Sequence, residues 1–365
     1  MLDLTKAFDT VDHELLKLKF KAMGIIGGSF EWLCSYLDNR RQAVKVNGAT
    51  SDFKTLLIGI PQGSVLRPTL FNIFINDITN SCLSINFNLY ADDTIISLTG
   101  NNLLDLLKEF NLKLINVSDW LKNNKLIINM EKTFSILFHT KRPQPITYNN
   151  HVLINGKKLP YVKSFKYLGI TIDNTLTWNQ HIYNTRLKLT RTLAIFHRLK
   201  CYLSYKSLYQ AYYALFHSHL NYCLLTWGTS SKNKLKPISH LQNKVLKILN
   251  KAGELEFGSN FPGTNIPNIE QIYKLQLGMV FYDLKSNLLP LPIKNILTKI
   301  DDSPNHSYEL RIINPRLPSL RTELGRGALP YKLSTDYIYF NETFSVYISR
   351  NTFKLSIKDK ILNSV

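Results

Sequence analysis

The sequence predicts an α+β fold, and three observations carry that prediction. From Ser84 to Leu98 (SINFNLYADDTIISL), Ile85, Phe87 and Leu89 alternate with Asn86 and Asn88, and Ile95, Ile96 and Leu98 resume the apolar run after two aspartates, the pattern of a hairpin. Leu103, Leu107, Phe110, Leu114, Val117 and Leu121 recur at helical spacing and mark a long amphipathic helix. Two Asn-Gly dipeptides, Asn47-Gly48 and Asn155-Gly156, stand between short extended runs, where a type I′ turn closes a hairpin. With 365 residues, 44% of them hydrophobic and 19% charged, the chain can bury a large core and should form more than one domain.

In order along the chain, Leu15, Leu16, Phe20 and Met23 give His13 to Gly24 one apolar helical face, closed by Gly24 at the C-cap. Phe30 to Leu37 reads as a second short helix. Arg41 to Val46, the Asn47-Gly48 turn and the run to Ile60 form a hairpin, with Arg40, Arg41 and Lys45 on or beside it as a solvated face or a phosphate contact. In Gly59 to Leu70 (GIPQGSVLRPTL), Pro61 fixes φ, Gly63 lets backbone approach a ligand closely, and Ser64 is placed to cap a helix reaching about Asn80.

The Ser84 to Leu98 hairpin puts Asp92 and Asp93 at its tip. Adjacent carboxylates repel, which raises at least one pKa unless a cation lies between them and a third acid. Asp-Asp is also ordinary turn chemistry. The Leu103 helix that follows is core, Asn124 to Phe138 (NKLIINMEKTFSILF) reads as strand, Lys132 turn and strand, and Val152 to Val162 is a further hairpin.

The formal net charge of +19 implies a polyanionic partner, nucleic acid or membrane headgroups. No apolar run approaches the roughly 18 residues needed to span a bilayer, and no charged-then-apolar leader opens the sequence, so an intracellular protein, nuclear or cytoplasmic, is expected. Cys34, Cys82, Cys201 and Cys223 show no disulfide or zinc-knuckle spacing. Residues 174 to 253 hold twelve Lys or Arg and no Asp or Glu, interleaved with Tyr202, Tyr205, Tyr209, Tyr212, Tyr213 and Phe216. Such a block is a solvated face or a nucleic-acid contact, and Arg186, Lys188, Arg191, Arg198 and Lys200 are the candidates for the latter. Gly258 to Asn268 has linker composition, and the tail from Asp301, with Arg311, Arg316, Arg321 and Arg326, carries no recognisable chemistry.

LDLTKAFD (Leu2 to Asp9), GIPQGS (Gly59 to Ser64) and YADD (Tyr90 to Asp93), in that order, resemble the palm motifs of reverse transcriptases, most closely those of non-LTR (LINE-like, jockey-type) retrotransposons. NKLIINMEKTFSILF and FKYLGITID (Phe165 to Asp173) fit the same family. The resemblance is close over residues 2 to 173 and looser through Leu208 to Gly228 and Asn243 to Asn250.

It implies a right-hand polymerase palm of ferredoxin-like topology over residues 1 to 175, a helical thumb-like basic region over 176 to 257, and a helical C-terminal extension over 268 to 365. The implied chemistry is template-directed DNA synthesis on RNA by a two-metal route, with RNA template, DNA primer and dNTP as partners and no membrane. By the same resemblance Asp3, Asp92 and Asp93, with the Leu4 carbonyl, would hold two Mg²⁺ or Mn²⁺ ions, and Lys132 would protonate the departing pyrophosphate. Gln62 and Gly63 would lie against the incoming nucleotide, Phe8 would gate out a ribose 2′-OH, and Leu168 and Gly169 would form the primer grip. Three departures are visible. Arg67 replaces the family's glycine: it is either tolerated on the surface or, if that turn needs a glycine, distorts the helix start. Only two residues precede Asp3 to build its strand. The fingers segment that precedes the first aspartate in the family does not fall within these residues, so this chain is expected to be inactive alone. A non-catalytic nucleic-acid-binding remnant and an RNA-dependent RNA polymerase are the alternatives, and YADD with Phe8 speaks against the second.

Overall fold

Strand pairing begins with the first five residues. In the computed structural model, which describes residues 1–139, 151–297, 328–344 and 348–363, Leu2 exchanges backbone hydrogen bonds with Thr94, while Met1, Asp3 and Thr5 bond in the opposite direction to the 127–134 stretch. The segment under Asp3 is therefore paired on both sides despite its shortness. The chain forms two compact units, Met1–Ser164 and Phe165–Val365.

In the first unit α1 (His13–Ala22) is capped by Asp12, whose carboxylate accepts from the Leu15 amide, and buries Leu16 and Phe20. Gly24 follows at φ 81 and the Ile25 amide returns to Phe20 O, the Gly-terminated helix end the sequence predicts. Met23, expected on the apolar face, is 52% exposed at the helix C-cap instead. After α2 (Gly27–Leu37), two antiparallel ribbons nest: β1 (Arg41–Gln42) pairs with β4 (Lys54–Thr55), and β2 (Lys45–Val46) pairs with β3 (Ala49–Thr50) across Asn47 and Gly48, both at positive φ. Then come α3 (Arg67–Ile75), a 3₁₀ segment (Asn76–Ser81), the hairpin of β5 (Asn86–Tyr90) and β6 (Asp93–Ser97), and α4 (Leu103–Asn123). The last ribbon, β7 (Leu153–Ile154) and β8 (Lys157–Lys158), turns at Asn155-Gly156, both at positive φ.

The core of this unit joins Leu2, Leu4, Leu16 and Phe20 to Phe71, Phe74, Leu114 and Leu121. The α4 helix buries Leu107, Leu114, Val117 and Leu121 of its predicted stripe and leaves Leu103 and Phe110 half-buried, and its main neighbours are the 3₁₀ segment and β7. Asn111 fastens α4 to β7, donating to His151 O and accepting from the Leu153 amide. Two expectations need correction. Ser64 does not cap α3: its Oγ accepts from the Leu66 amide and from Tyr36 Oη, stapling the turn ahead of the helix. The stretch around Lys132 is not a pair of strands but extended chain with single bridges, Leu4 to Ile128 and Ser135 to Tyr161, because the Asn129–Thr133 turn interrupts it. The strands of this unit pair as two-stranded ribbons tied by such bridges.

The second unit opens on a hairpin, β9 (Ser164–Tyr167) and β10 (Ile170–Asp173), followed by helices α5 (Asn179–Leu199), α6 (Tyr205–Ala211), a π-helical turn (Tyr212–His217), α7 (Ser218–Asn221), α8 (Leu224–Trp227) and α9 (Lys232–Phe257). These bury one core that includes Leu189, Phe196, Tyr212, Trp227 and Val245. Beyond it α10 (Ile269–Lys285), α11 (Leu291–Leu297), α12 (Leu329–Thr335), α13 (Tyr337–Asn341) and α14 (Arg350–Asn363) gather a third cluster around Phe281, Phe340 and Phe353. The Gly258 to Asn268 stretch, linker-like in composition, is packed: the Phe261 ring lies so close to Gly253 that a Cβ there would meet it at 2.3 Å, and Thr264 Oγ1 donates to Asn250 Oδ1. Asp301, Arg311, Arg316, Arg321 and Arg326 lie outside the described residues.

Candidate active site

The aspartate turn is the best-defined feature of the first unit. Tyr90 pairs with Asp93 in the β5–β6 register, leaving Ala91 and Asp92 as the two turn residues, with Ala91 at φ 51. A two-residue turn joining right-twisted strands requires positive φ, which costs an alanine about 1 kcal/mol or more. The bridge between Leu2 and Thr94 sets Asp3 opposite Asp93 on the next strand, and residues directly opposite share a face with Cβ atoms about 5 Å apart. Leu2 and Thr94 are buried, whereas Asp3 and Asp93 are half-buried on the other face and Asp92 is exposed. Burial pushes the Asp93 carboxyl above the usual range, and the charges of Asp92 and Asp3 push it further. The three acids of the two separated motifs thus meet electrostatically at one place. Among the described residues no group of three or more His, Cys, Asp or Glu is arranged to hold a metal ion.

The other predicted residues fall into three settings. Leu4 is buried, and its bridge to Ile128 uses the peptide groups of Asp3 and Thr5, so by strand alternation its own peptide faces the aspartate turn. Lys132 is exposed on a turn that brackets Asp3: the Asn129 amide donates to Asp3 O, and the Asp3 amide donates to Thr133 Oγ1. Gln62 and Gly63 are exposed, Gly63 at φ 78 with open space where a side chain would stand.

The loop carrying them is knitted to the first motif. The Gly59 amide donates to Val11 O, the Ile60 amide to Phe8 O, and His13 Nε2 contacts Gly59 O at 2.7 Å. Gly59 has φ 85, and a Cβ there would lie 2.8 Å from Asp9 O, so the close approach admits only glycine. Phe8 packs on Phe71 with ring centroids 4.3 Å apart and the planes tilted by 31°, and the Arg67 guanidinium lies over the Phe8 ring at 4.8 Å. Arg67 starts α3 without distorting it. Its guanidinium donates to Ile60 O and to Asp9 Oδ1, each at 3.0 Å, bridging the two motifs where a glycine could not.

In the second unit Leu168 (φ 44) and Gly169 (φ 85) form the β9–β10 turn. Tyr222 Oη donates to Leu168 O, and its ring lies 3.3 Å from where a Gly169 Cβ would stand. Asp173, at the end of β10, accepts from Thr175 and Thr177, through both amide and hydroxyl of each, and from the Trp178 amide. Burial raises its pKa, but the bonds from Thr177, Thr175 and Trp178 outweigh it, and the carboxyl sits below its usual range. His181 is buried, accepts the Thr171 amide at Nδ1 and is pushed down to about 4 by burial, with Lys188 adding to the effect, so it is neutral. Sequence reading passed over Asp173, although its D-x-T-x-T spacing is the pattern of side chains that close turns on their own backbone. Arg186, Lys188, Arg191, Arg198 and Lys200 are all exposed. On α5, Arg191 and Arg198 stand on one stripe opposite the buried Leu189 and Phe196, with Arg186 and Lys188 on its flanks.

Residues 1–172 match the family described as reverse transcriptase (RNA-dependent DNA polymerase). They belong to that family. The branch is that of the non-LTR retrotransposons: the chain is 30% identical over 298 residues to the RNA-directed DNA polymerase from mobile element jockey of Drosophila melanogaster, a match covering 76% of this chain and 32% of that protein. It is 29% identical over 258 residues to the probable RNA-directed DNA polymerase from transposon X-element of the same organism, covering 68% and 28%. A Pol polyprotein from type-1 retrotransposable element R2 of Popillia japonica is 28% identical over 209 residues, covering 53% and 33%. The chain thus spans about a third of the length of the curated relatives it matches. Among the described residues no helix is long and apolar enough to cross a membrane.

Proposed function

We propose that this chain carries the palm site of an RNA-directed DNA polymerase and joins a dNTP to a DNA primer on an RNA template. The observation that carries the reading is the register that sets Asp3 opposite Asp93, beside Asp92, with Asp93 destabilised by both neighbours. Three carboxylates whose charges oppose one another are the donor set a hard divalent cation takes. Asp3, Asp92 and Asp93, with the Leu4 carbonyl, are the proposed ligands. Two bound Mg²⁺ or Mn²⁺ ions would supply charge neutralisation at the primer 3′-oxygen and the pyrophosphate.

The chain's own residues do the rest. Phe8, held by its contacts with Phe71 and Arg67, excludes a ribose 2′-OH and selects dNTP. Gln62 and the open backbone of Gly63 face the nucleotide, and Lys132 gives a proton to pyrophosphate. Leu168 and Gly169, fixed by Tyr222, hold the primer end, and Arg186, Lys188, Arg191, Arg198 and Lys200 neutralise phosphates. The parts follow the chain's likeness to its relatives, a palm over residues 1 to 175, a thumb-like region over 176 to 257 and an extension over 268 to 365.

A second reading, a non-catalytic nucleic-acid binder, is favoured by one observation, the lack among the described residues of a closed three-acid metal cluster. Primer extension on poly(rA)/oligo(dT) with Mg²⁺ or Mn²⁺ separates the two. The 365-residue chain alone is expected to incorporate only traces of dTTP, since in-line placement of the triphosphate needs contacts from beyond these residues and a misplacement of about 1 Å costs about a hundredfold. Those traces should vanish in the Asp92→Ala, Asp93→Ala double variant. Hybrid binding with equal incorporation by both proteins supports the second reading, and robust incorporation by the parent chain refutes the need for further contacts.

A further inference from the structure

The second unit contains an aromatic ladder that leads to a cavity, and neither belongs to the aspartate site. Tyr205, Tyr209, Tyr213 and His217 follow one another at four-residue steps, with ring centroids 5.9, 5.2 and 4.9 Å apart, and all four are half-buried. In a regular α-helix a four-residue step overshoots a turn by about 40°, so such a stripe would drift around the helix. Here Tyr212–His217 is a π-helical turn, which takes more residues per turn and keeps Tyr213 and His217 in line. Tyr212 and Phe216 are fully buried, whereas Tyr205, Tyr209 and Tyr213 pack against the same core and are only half-buried. No acidic residue occurs from 174 to 253, and the one carboxylate bonded to the ladder, Glu256, accepts the Tyr205 amide at the end away from the cavity.

At the ladder's end His217 lines a cavity of about 470 Å³, within the range of small-molecule and base-sized sites. Its walls are mixed. Ile272 and Met279 are apolar, and Gln276 is held by Asn221, to whose O and Oδ1 it donates at 2.8 and 2.7 Å. Arg350 makes a two-pronged ion pair with Asp283. Lys354 is exposed at the rim. His217 Nδ1 is buried and, among the described residues, has no hydrogen-bond partner. A planar ring with an unused nitrogen, beside amide groups and under a lysine, fits a nucleobase with its phosphate outside.

We propose that Tyr205, Tyr209, Tyr213 and His217 form a stacking track for single-stranded nucleic acid, and that one base enters the cavity lined by His217 and Gln276 with its phosphate against Lys354. A duplex is excluded, because its bases are already stacked on one another. The inference does not rest on the polymerase reading, since it concerns binding by another unit. RNA and DNA single strands share the recognised chemistry.

The test is fluorescence anisotropy of the full chain, in an Asp92→Ala, Asp93→Ala background, with a short oligouridine, the matching oligothymidine and a duplex of equal length. Tyr209→Leu, Tyr213→Leu should weaken both single strands tenfold or more and leave duplex binding unchanged, whereas Tyr209→Phe, Tyr213→Phe, which keeps the rings, should bind like the parent. Lys354→Ala should flatten the salt dependence by about 0.7, one phosphate contact. Equal loss in the Leu and Phe variants, or single-strand binding unchanged in a folded Leu variant, overturns the proposal. Should the Leu variant not fold, photocrosslinking of 5-bromouracil oligonucleotide to the parent chain decides: crosslinks at Tyr213 or His217 support the track, and crosslinks confined elsewhere overturn it. If only one of RNA and DNA binds, the track is specific to that strand.

Discussion

Asp93 opens strand β6 and Asp173 closes strand β10, each in a hairpin whose two-residue turn holds a non-glycine residue at positive φ. Their carboxylates meet opposite fates. Asp173 is ringed by the amides and hydroxyls of Thr175 and Thr177 and the Trp178 amide, and its charged form is favoured. Asp93 is partly buried beside Asp92 and Asp3, and its charged form is disfavoured. An acid whose donors all come from the chain is a clasp. One surrounded by other acids is left for a cation from outside, which is what separates a structural carboxylate from a candidate ligand in the same kind of hairpin.

The largest effect expected from this comparison is on the clasp. Asp173→Ala leaves up to three amides and two hydroxyls unpaired at the start of α5 and should destabilise the protein by about 2–4 kcal/mol, hydrogen bonds to a charged group being worth about 1.5–3 kcal/mol each when lost singly and not additive. Urea denaturation measures it, and a loss below about 1 kcal/mol would show that the ring of donors is satisfied by water instead. Asp93→Ala should not destabilise the fold, because it removes a repulsion.

Next in size is the pH response. His181 has a folded pKa of about 4 against about 6.5 unfolded, so between those values the unfolded chain binds more protons and stability falls as the pH drops. From pH 7 to 5 the loss should be about 2 kcal/mol. His181→Gln should abolish its share and leave only the smaller losses of the same sign from His217 and His219, which burial also holds below the usual range, and an unchanged slope in that variant would place the titrating group elsewhere. Asp173 adds a loss only lower down: its depressed pKa gives stability present above the ordinary carboxylate value and lost as pH falls through the folded one. Asp93, with a raised pKa, has the reverse sign, its contribution being present below that range and lost as pH rises through it.

How much of this was legible depends on the range of the interaction. The aspartate turn, the Asn-Gly hairpins and the α4 stripe were readable because period-2 and helical spacing, and the need for positive φ, act within a few residues. The motifs named Asp3, Asp92 and Asp93, but composition could not reveal that a segment beginning two residues before Asp3 pairs on both sides, since its partners lie some ninety and a hundred and thirty residues away. The fate of Arg67 is left open by the sequence for the same reason. A guanidinium looks disruptive in a turn until its acceptors, Ile60 O and Asp9 Oδ1, are in place. The Gly258 to Asn268 stretch has linker composition, yet Phe261 finds a glycine, Gly253, on α9 to pack against.

The smallest effect is the one that speaks most directly to the aspartate turn. If Asp3, Asp92 and Asp93 await a cation, Mg²⁺ should bind the folded turn and not the unfolded chain, and at a free concentration near its dissociation constant it adds about 0.4 kcal/mol, a twofold slowing of local opening. The reporters are the amides of Thr94, which bonds to Leu2 O, and Ile95, in hydrogen exchange followed at pH 7, where Asp93 opposes its neighbours most. Sodium chloride at matched ionic strength is the control, because screening alone also weakens carboxylate repulsion. Slower exchange with Mg²⁺ than with sodium, lost in Asp92→Asn, Asp93→Asn, is expected. The amides near Asp173 should not respond, since that carboxylate already has its donors. Equal protection by the two salts would mean that the acids repel without binding, and the aspartate hairpin would then be a strained turn and no metal site.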